Sequence, residues 1–158
     1  MLDKIVSGGQ TGADQAAWRA AKKFDVATGG WMPEGFLTED GPHSEFAELF
    51  GAAEGPTDSK CSPTEQNVRD TDATLWFGET TTLGAQATVE ACHRSGKPCM
   101  PIYPAASFEP SHVASWILEN KIRTLNVAGN REAEEPGIGD RVERFLGQVL
   151  QQLGHQRV

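Results

Sequence analysis

Residues 5 to 17 read IVSGGQTGADQAA, and no other stretch constrains the fold as strongly. Two aliphatic residues lead into Gly8, Gly9 and Gly12, and a helical pattern begins at once. Ala13, Ala16, Ala17, Ala20, Ala21 and Phe24 recur at i, i+3, i+4, i+7, i+8 and i+11, one continuous face. A face made almost wholly of alanine lets a helix lie very close to a sheet. A short buried strand, a glycine turn and a close-packed helix follow from this pattern.

The same alternation runs on down the chain. DVATGGW reads as a second strand, weakened by its glycines. From Met32 to Cys61 no period holds, and Pro33, Gly35, Gly41, Pro42, Gly51, Gly55 and Pro56 break the segment into loop, with one helical turn expected near SEFAELF. SPTEQNVRD then signals a helix start, with Ser62 as N-cap, Pro63 at the first helical position and Glu65 reaching back. DATLWF, CMPIY and IRTLNVAG read as strands, and helices are expected over Gly84–Ser95, EPSHVASWILENK and from about Gly139. The last carries a stripe of Val142, Phe145, Leu146, Val149, Leu150 and Leu153. Strands alternating with helices predict a doubly wound α/β fold. One domain over residues 1–158 is expected, with a mainly parallel five-stranded sheet and an irregular insertion at about 32–61.

Composition narrows the function classes. Net charge is −8, from 14 basic and 22 acidic residues, which disfavours nucleic acid and anionic membranes as partners. No apolar run approaches the roughly 20 residues of a membrane span. The start has no basic segment followed by an apolar core, so cytoplasm is the expected location. Cys61, Cys92 and Cys99 form no C-x-x-C pair, and no protein-ligated metal is expected. His43, His93, His112 and His155 are scattered, with no spacing for a catalytic triad or a zinc protease. An anion bound by such a chain needs local geometry, which points to backbone N–H groups and helix ends.

In open α/β sheets ligands sit beyond the carboxyl ends of the strands. Four such ends, SGGQTGAD, TGGWMP, FGETTTLG and NVAGNRE, combine glycine with polar side chains. The N–H groups that open the first helix, freed by Gly8, Gly9 and Gly12, suit a phosphate. Neither G-x-G-x-x-G nor G-x-x-x-x-G-K-[ST] is present, since Ser7 stands at the first glycine position and no acid ends the second strand. Asp14 either complements the helix dipole facing away, or meets a ligand hydroxyl or a water. Glu39 and Asp40 share a turn, one of Thr80, Thr81 and Thr82 caps a helix, and Trp31 either packs or stacks on a heterocycle. Glu90 can act as general acid or base if a crevice half-buries it.

IVSGGQTGADQAA, GGWMPEG with TEDG, NVRDTDATLWF, TVEACHRSGKPC, LNVAG and PGIGDRVERFL resemble, in this order and over nearly the whole chain, the molybdenum carrier (molybdenum cofactor carrier-like) family. That family is similar to a wider group of Rossmann-like proteins of nucleotide-derived ligands, which includes the lysine-decarboxylase-like phosphoribohydrolases. The resemblance implies binding of the molybdenum cofactor, a pterin with a phosphate tail (molybdopterin), or of a nucleotide, in a homo-oligomer, a dimer or tetramer. Carried over by position, its ligand-facing residues are Gly8, Gly9, Gln10, Thr11, Gly12, Asp14, Gly30, Trp31, Glu39, Asp40, Gly41, Asn67, Thr82, Gly84, Thr88, Glu90, Asn126 and Gly129. Leu83-Gly84-Ala85 stands where the family has Gly-Gly-Thr, and Phe36 where it has an arginine. The competing expectation is an N-glycosidic hydrolase of nucleoside monophosphates, with Glu90 or Asp14 as its catalytic carboxylate. A third is a module that hands its ligand to a partner, with residues 32–61 as lid or interface.

Overall fold

Strand β1 (Lys4–Val6) passes through the glycine turn into α1 (Ala13–Lys23), whose alanine face is buried as its period predicts. The computed structural model describes residues 1–55 and 61–158. Next come β2 (Ala27–Met32), a small hairpin of β3 (Leu37–Thr38) and β4 (Gly41–Pro42), and α2 (Phe46–Phe50). The chain continues with β5 (Ala52–Glu54), α3 (Pro63–Arg69), β6 (Ala73–Phe77), α4 (Leu83–Ser95) and β7 (Cys99–Ile102). It ends with α5 (Pro110–Glu119), β8 (Thr124–Gly129) and α6 (Ile138–Gln152).

The main sheet is parallel and has six strands in the order β5-β2-β1-β8-β6-β7, one more than expected. The extra strand is β5, inside the segment read as loop. Three residues, AAE between Gly51 and Gly55, are too few to show a period. What makes them a strand is pairing of Gly30, Trp31 and Met32 with Ala52, Ala53 and Glu54. Trp18 anchors this edge from the face of α1 away from the alanines. It stacks on Phe50 at 4.8 Å, meets Phe46 edge-on, and donates its indole N–H to the Gly29 carbonyl at 2.9 Å. Pro56, one of the expected breakers, lies outside the described residues.

Alternation along the strands sends side chains to two separate layers. Ile5, Ala73, Leu75, Phe77, Leu125 and Val127 join the main core with α1, α5 and α6. On the opposite face Val68 of α3 packs with Ala91 and Cys92 of α4. The stripe of α6 is largely buried, and full burial of a leucine such as Leu146 or Leu150 contributes about 2 kcal/mol each. Ser62 caps α3 by accepting the Glu65 N–H at 3.2 Å, while the Glu65 carboxylate pairs with Arg94 at 3.0 Å.

This layering positions the site. The connections that leave β7 and β8 run into α5 and α6 on one face, whereas β6 feeds α4 on the other. The carboxyl end of β6 is therefore not covered by its own helix. Diverging connections open a crevice at such a point.

Candidate functional site

At the carboxyl ends of β1, β6 and β8 the glycine turn meets the 129–135 loop. Gly12 caps α1 with φ +79°, and a Cβ there would lie 2.5 Å from the Asn130 carbonyl oxygen. Two of the three N–H groups in the first turn of α1 that lack an intrahelical partner are already used: Ala13 donates to Asn130 O and Gln15 to Gln10 O. Gly9 N–H donates to the Ser7 hydroxyl at 3.3 Å. The expected row of amides awaiting a phosphate is thus largely satisfied by the chain itself.

Asp14 supplies much of that closure. Its carboxylate accepts the Gln10 N–H at 3.2 Å and faces the N–H groups of Gly8 and Gly129. Burial pushes the group up to about 7, and the three amides pull it the other way without prevailing. Glu39 closes the neighbouring gap: it accepts from the Thr11 hydroxyl and from Ala133 N–H at 3.4 Å. Thr11 in turn accepts the Glu132 N–H at 3.2 Å.

Asn130, not singled out in the sequence, is the hub of this rim. Buried, it accepts from the Thr82 hydroxyl at 3.1 Å and donates to Glu135 at 3.1 Å, while its N–H bonds Phe77 O. Its position right after a strand ending in glycine was the available signal. Thr82, of the three threonines, is the cap of α4. Gly8, Gly9, Gln10, Thr11, Gly12, Asp14, Glu39, Thr82 and Gly129 are thereby gathered around one rim.

Other candidates lie elsewhere or serve the scaffold. Gly30 sits so close to β1 that a Cβ would fall 1.9 Å from Ser7 O. Asn67 clamps the backbone of Trp31, accepting its N–H at 2.8 Å and donating to its carbonyl at 3.0 Å, where β1 has already turned away. The Trp31 indole donates to Asp70 at 2.8 Å, toward α3. Asp40 and Gly41 belong to the β3–β4 hairpin, Gly84 is exposed on α4, and Thr88 is buried on that helix's inner side. Two placements correct the sequence reading. Asn126 is in mid-strand, donating to the Thr74 hydroxyl at 3.2 Å inside the sheet rather than at its rim. Glu90 has a side chain 67% exposed and pairs with Arg94 one turn on at 3.5 Å, so no crevice half-buries it.

The cavity on this side of the sheet was not read from the sequence at all. It has a volume of about 440 Å³ and lies over the bare carboxyl end of β6, between α6 and the chain leaving β7. Phe77, Ile102, Tyr103, Ile138, Val142 and Phe145 give it apolar walls, and Glu135, Arg141 and Arg144 give it charge. Phe77 and Phe145 meet edge-on with centroids 5.6 Å apart. Periodicity marked Phe145 and Val142 as core, and in a sequence period a core position looks the same as a cavity wall. Among the described residues no group of three or more His, Cys, Asp or Glu side chains could hold a metal ion. None of the described helices is long and apolar enough to cross a membrane.

A parallel sheet with helices on both faces and its openings at the strand ends defines a Rossmann-like α/β protein. Within that class the chain belongs to the circularly permutated YpsA SLOG family, cpYpsA, whose model matches residues 5–150. The 1.45 Å crystal structure of a protein from Syntrophus aciditrophicus SB, named "Putative molybdenum carrier protein", matches with a TM-score of 0.82 at 35% identity, covering 94% of this chain and 95% of that one. No curated protein matches the chain.

Proposed function

We propose that this protein binds a small phosphorylated heterocycle, of the molybdenum cofactor or nucleotide kind, at the carboxyl ends of its strands and carries it. The observation that supports this most is the divergence of connections around β6, which leaves a cavity of ligand size at the strand ends. The name of the crystallographic relative points the same way. In this reading Gly8, Gly9, Gln10, Thr11, Gly12, Glu39, Thr82 and Gly129 shape the rim, while Asp14 takes the place an anion would hold at the head of α1. The protein acts as a dimer or tetramer in the cytoplasm, and its net charge of −8 keeps it from nucleic acid and anionic lipid.

Mass spectrometry of small molecules released from the purified protein tests this. A pterin phosphate or a nucleotide is the expected finding. Protein that is always empty, and whose melting temperature responds to neither pterins nor nucleoside monophosphates, would refute the proposal.

A second reading, N-glycosidic hydrolysis of nucleoside monophosphates, is favoured by Asp14, which exchanges its proton near neutral pH at this rim. Incubation with nucleoside 5′-monophosphates should then release free base, and Asp14→Asn should abolish the release. Turnover that survives Asp14→Asn removes Asp14 from the reaction.

A further inference from the structure

We infer that the cavity between α6 and the chain leaving β7 receives both halves of such a ligand: the ring between Phe145 and Tyr103, the phosphate at Arg144 and Arg141. The inference rests on the binding reading above and gives it a place.

Three observations carry it. The first is charge. Two guanidiniums and one carboxylate, Glu135, line the cavity, a surplus of one positive charge in a protein whose net charge is −8. On the cavity wall itself the cations outnumber the anion, against the balance of the whole chain.

The second is an unpaired guanidinium beside a paired one. Arg19, Arg94, Arg123, Arg131 and Arg141 each hold a carboxylate. Arg144, Arg69 and Arg157 hold none among the described residues, and of these three only Arg144 lines the cavity; its Nε donates to the Asp140 carbonyl at 3.4 Å. Arg141 and Arg144 stand three residues apart on α6, hence on neighbouring positions of one helix face. Guanidiniums so placed suit a phosphate, which accepts paired N–H groups from each.

The third is the wall. Tyr103 is 48% exposed, an aromatic ring left open to solvent at the cavity. Phe145, also on the cavity wall, is held by its edge-on contact with Phe77. A volume of about 440 Å³ suits a ring with a phosphate rather than an inorganic ion alone.

Glu135 gives the site a latch. One of its oxygens takes Asn130 and the Glu79 N–H, the other pairs with Arg141. An incoming phosphate engages Arg144 first and competes with Glu135 for Arg141, so occupancy is felt at Asn130 and through it at the glycine rim.

The test is NMR titration of the full-length ¹⁵N-labelled protein with AMP, with 6-hydroxymethylpterin monophosphate, with adenosine and with inorganic phosphate. One of the two phosphorylated heterocycles should shift the amides of Gly78, Tyr103, Val142 and Gln148. Adenosine or phosphate alone should bind at least about tenfold more weakly, and Arg144→Gln should weaken the phosphorylated ligand about tenfold with an unchanged melting temperature. Shifts confined to Gly8, Gly12 and Gly129, with Arg144→Gln indifferent, would overturn the cavity and leave ligand binding in place at the rim. No response to either heterocycle would also overturn it, while the released-molecule measurement decides the carrier reading separately.

Discussion

Asp14 carries the sharpest consequence at the scale of single residues. Its folded value of about 7 stands well above the ordinary 3.8. Between those values the folded protein keeps a proton that the unfolded chain has released. Stability therefore falls as pH rises through this window and levels off above about 7. Asp14→Asn should remove that slope from urea midpoints taken between about pH 4 and pH 8, and a slope that persists would assign it to other groups. Gly12 makes a second prediction. A side chain there is strained by φ +79° and meets the Asn130 carbonyl at 2.5 Å, so Gly12→Ala should cost about 2–3 kcal/mol in chemical denaturation. Gly96→Ala, with φ +66° but open space around it, should cost about 1 kcal/mol. Equal losses would show that the contact with the 129–135 loop contributes nothing. That the first glycines turn the chain was legible in SGGQTG. That Asn130 lies on top of Gly12 was not, because 118 positions separate them.

Helix ends set the terms at the scale of elements. Both α1 and α6 begin at glycine, and in both the opening N–H groups meet the protein's own acids or carbonyls. For α6 the acid is Glu132, which accepts the N–H of Gly137 at 2.5 Å and of Gly139 at 3.0 Å. Glu132→Ala should cost about 1–2 kcal/mol by urea denaturation, in the range of a lost helix cap with its dipole contribution; a change within the error of measurement would mean that water replaces the carboxylate without loss. Helices were the most legible elements, since α1 and α6 advertise their buried faces by period. The strand β5 was illegible for the opposite reason: it exists by pairing with β2 and by the Trp18–Phe46–Phe50 cluster, not by any pattern of its own.

At the scale of the whole molecule, the last strand lies between the first strand and β6. If β8 and α6 came first in the chain, the sheet would wind outward from β8 in one direction through β5, then in the other through β7. Both ends of the chain lie at the amino ends of the strands: Asp3 N–H bonds Arg123 O before β8, and Val158 N–H bonds Lys23 O at the end of α1. A permutant opened between Asn120 and Lys121, with Val158 joined to Met1 through about ten flexible residues, should fold. Its near-UV circular dichroism and cooperative unfolding should match those of the parent. A permutant that stays unfolded would show that β8 must be made last. Alternating strands and helices announced a parallel sheet, but not this order, since the apolar runs of β1, β6 and β8 do not say which strand each one neighbours.

What the residue order determined by itself is local: helical period, capping by Ser62, a threonine cap at one of Thr80, Thr81 and Thr82, glycine turns, and the parallel class of sheet. These depend on neighbours within a few positions, so they can be read from them. Tertiary structure alone decided that Asp14 and Asn130 fill the head of α1, that Glu90 faces solvent, and that the open cavity belongs to Arg141 and Arg144. Each of those outcomes depends on groups far apart in the chain competing for the same hydrogen bonds and the same volume, and only the folded packing settles that competition.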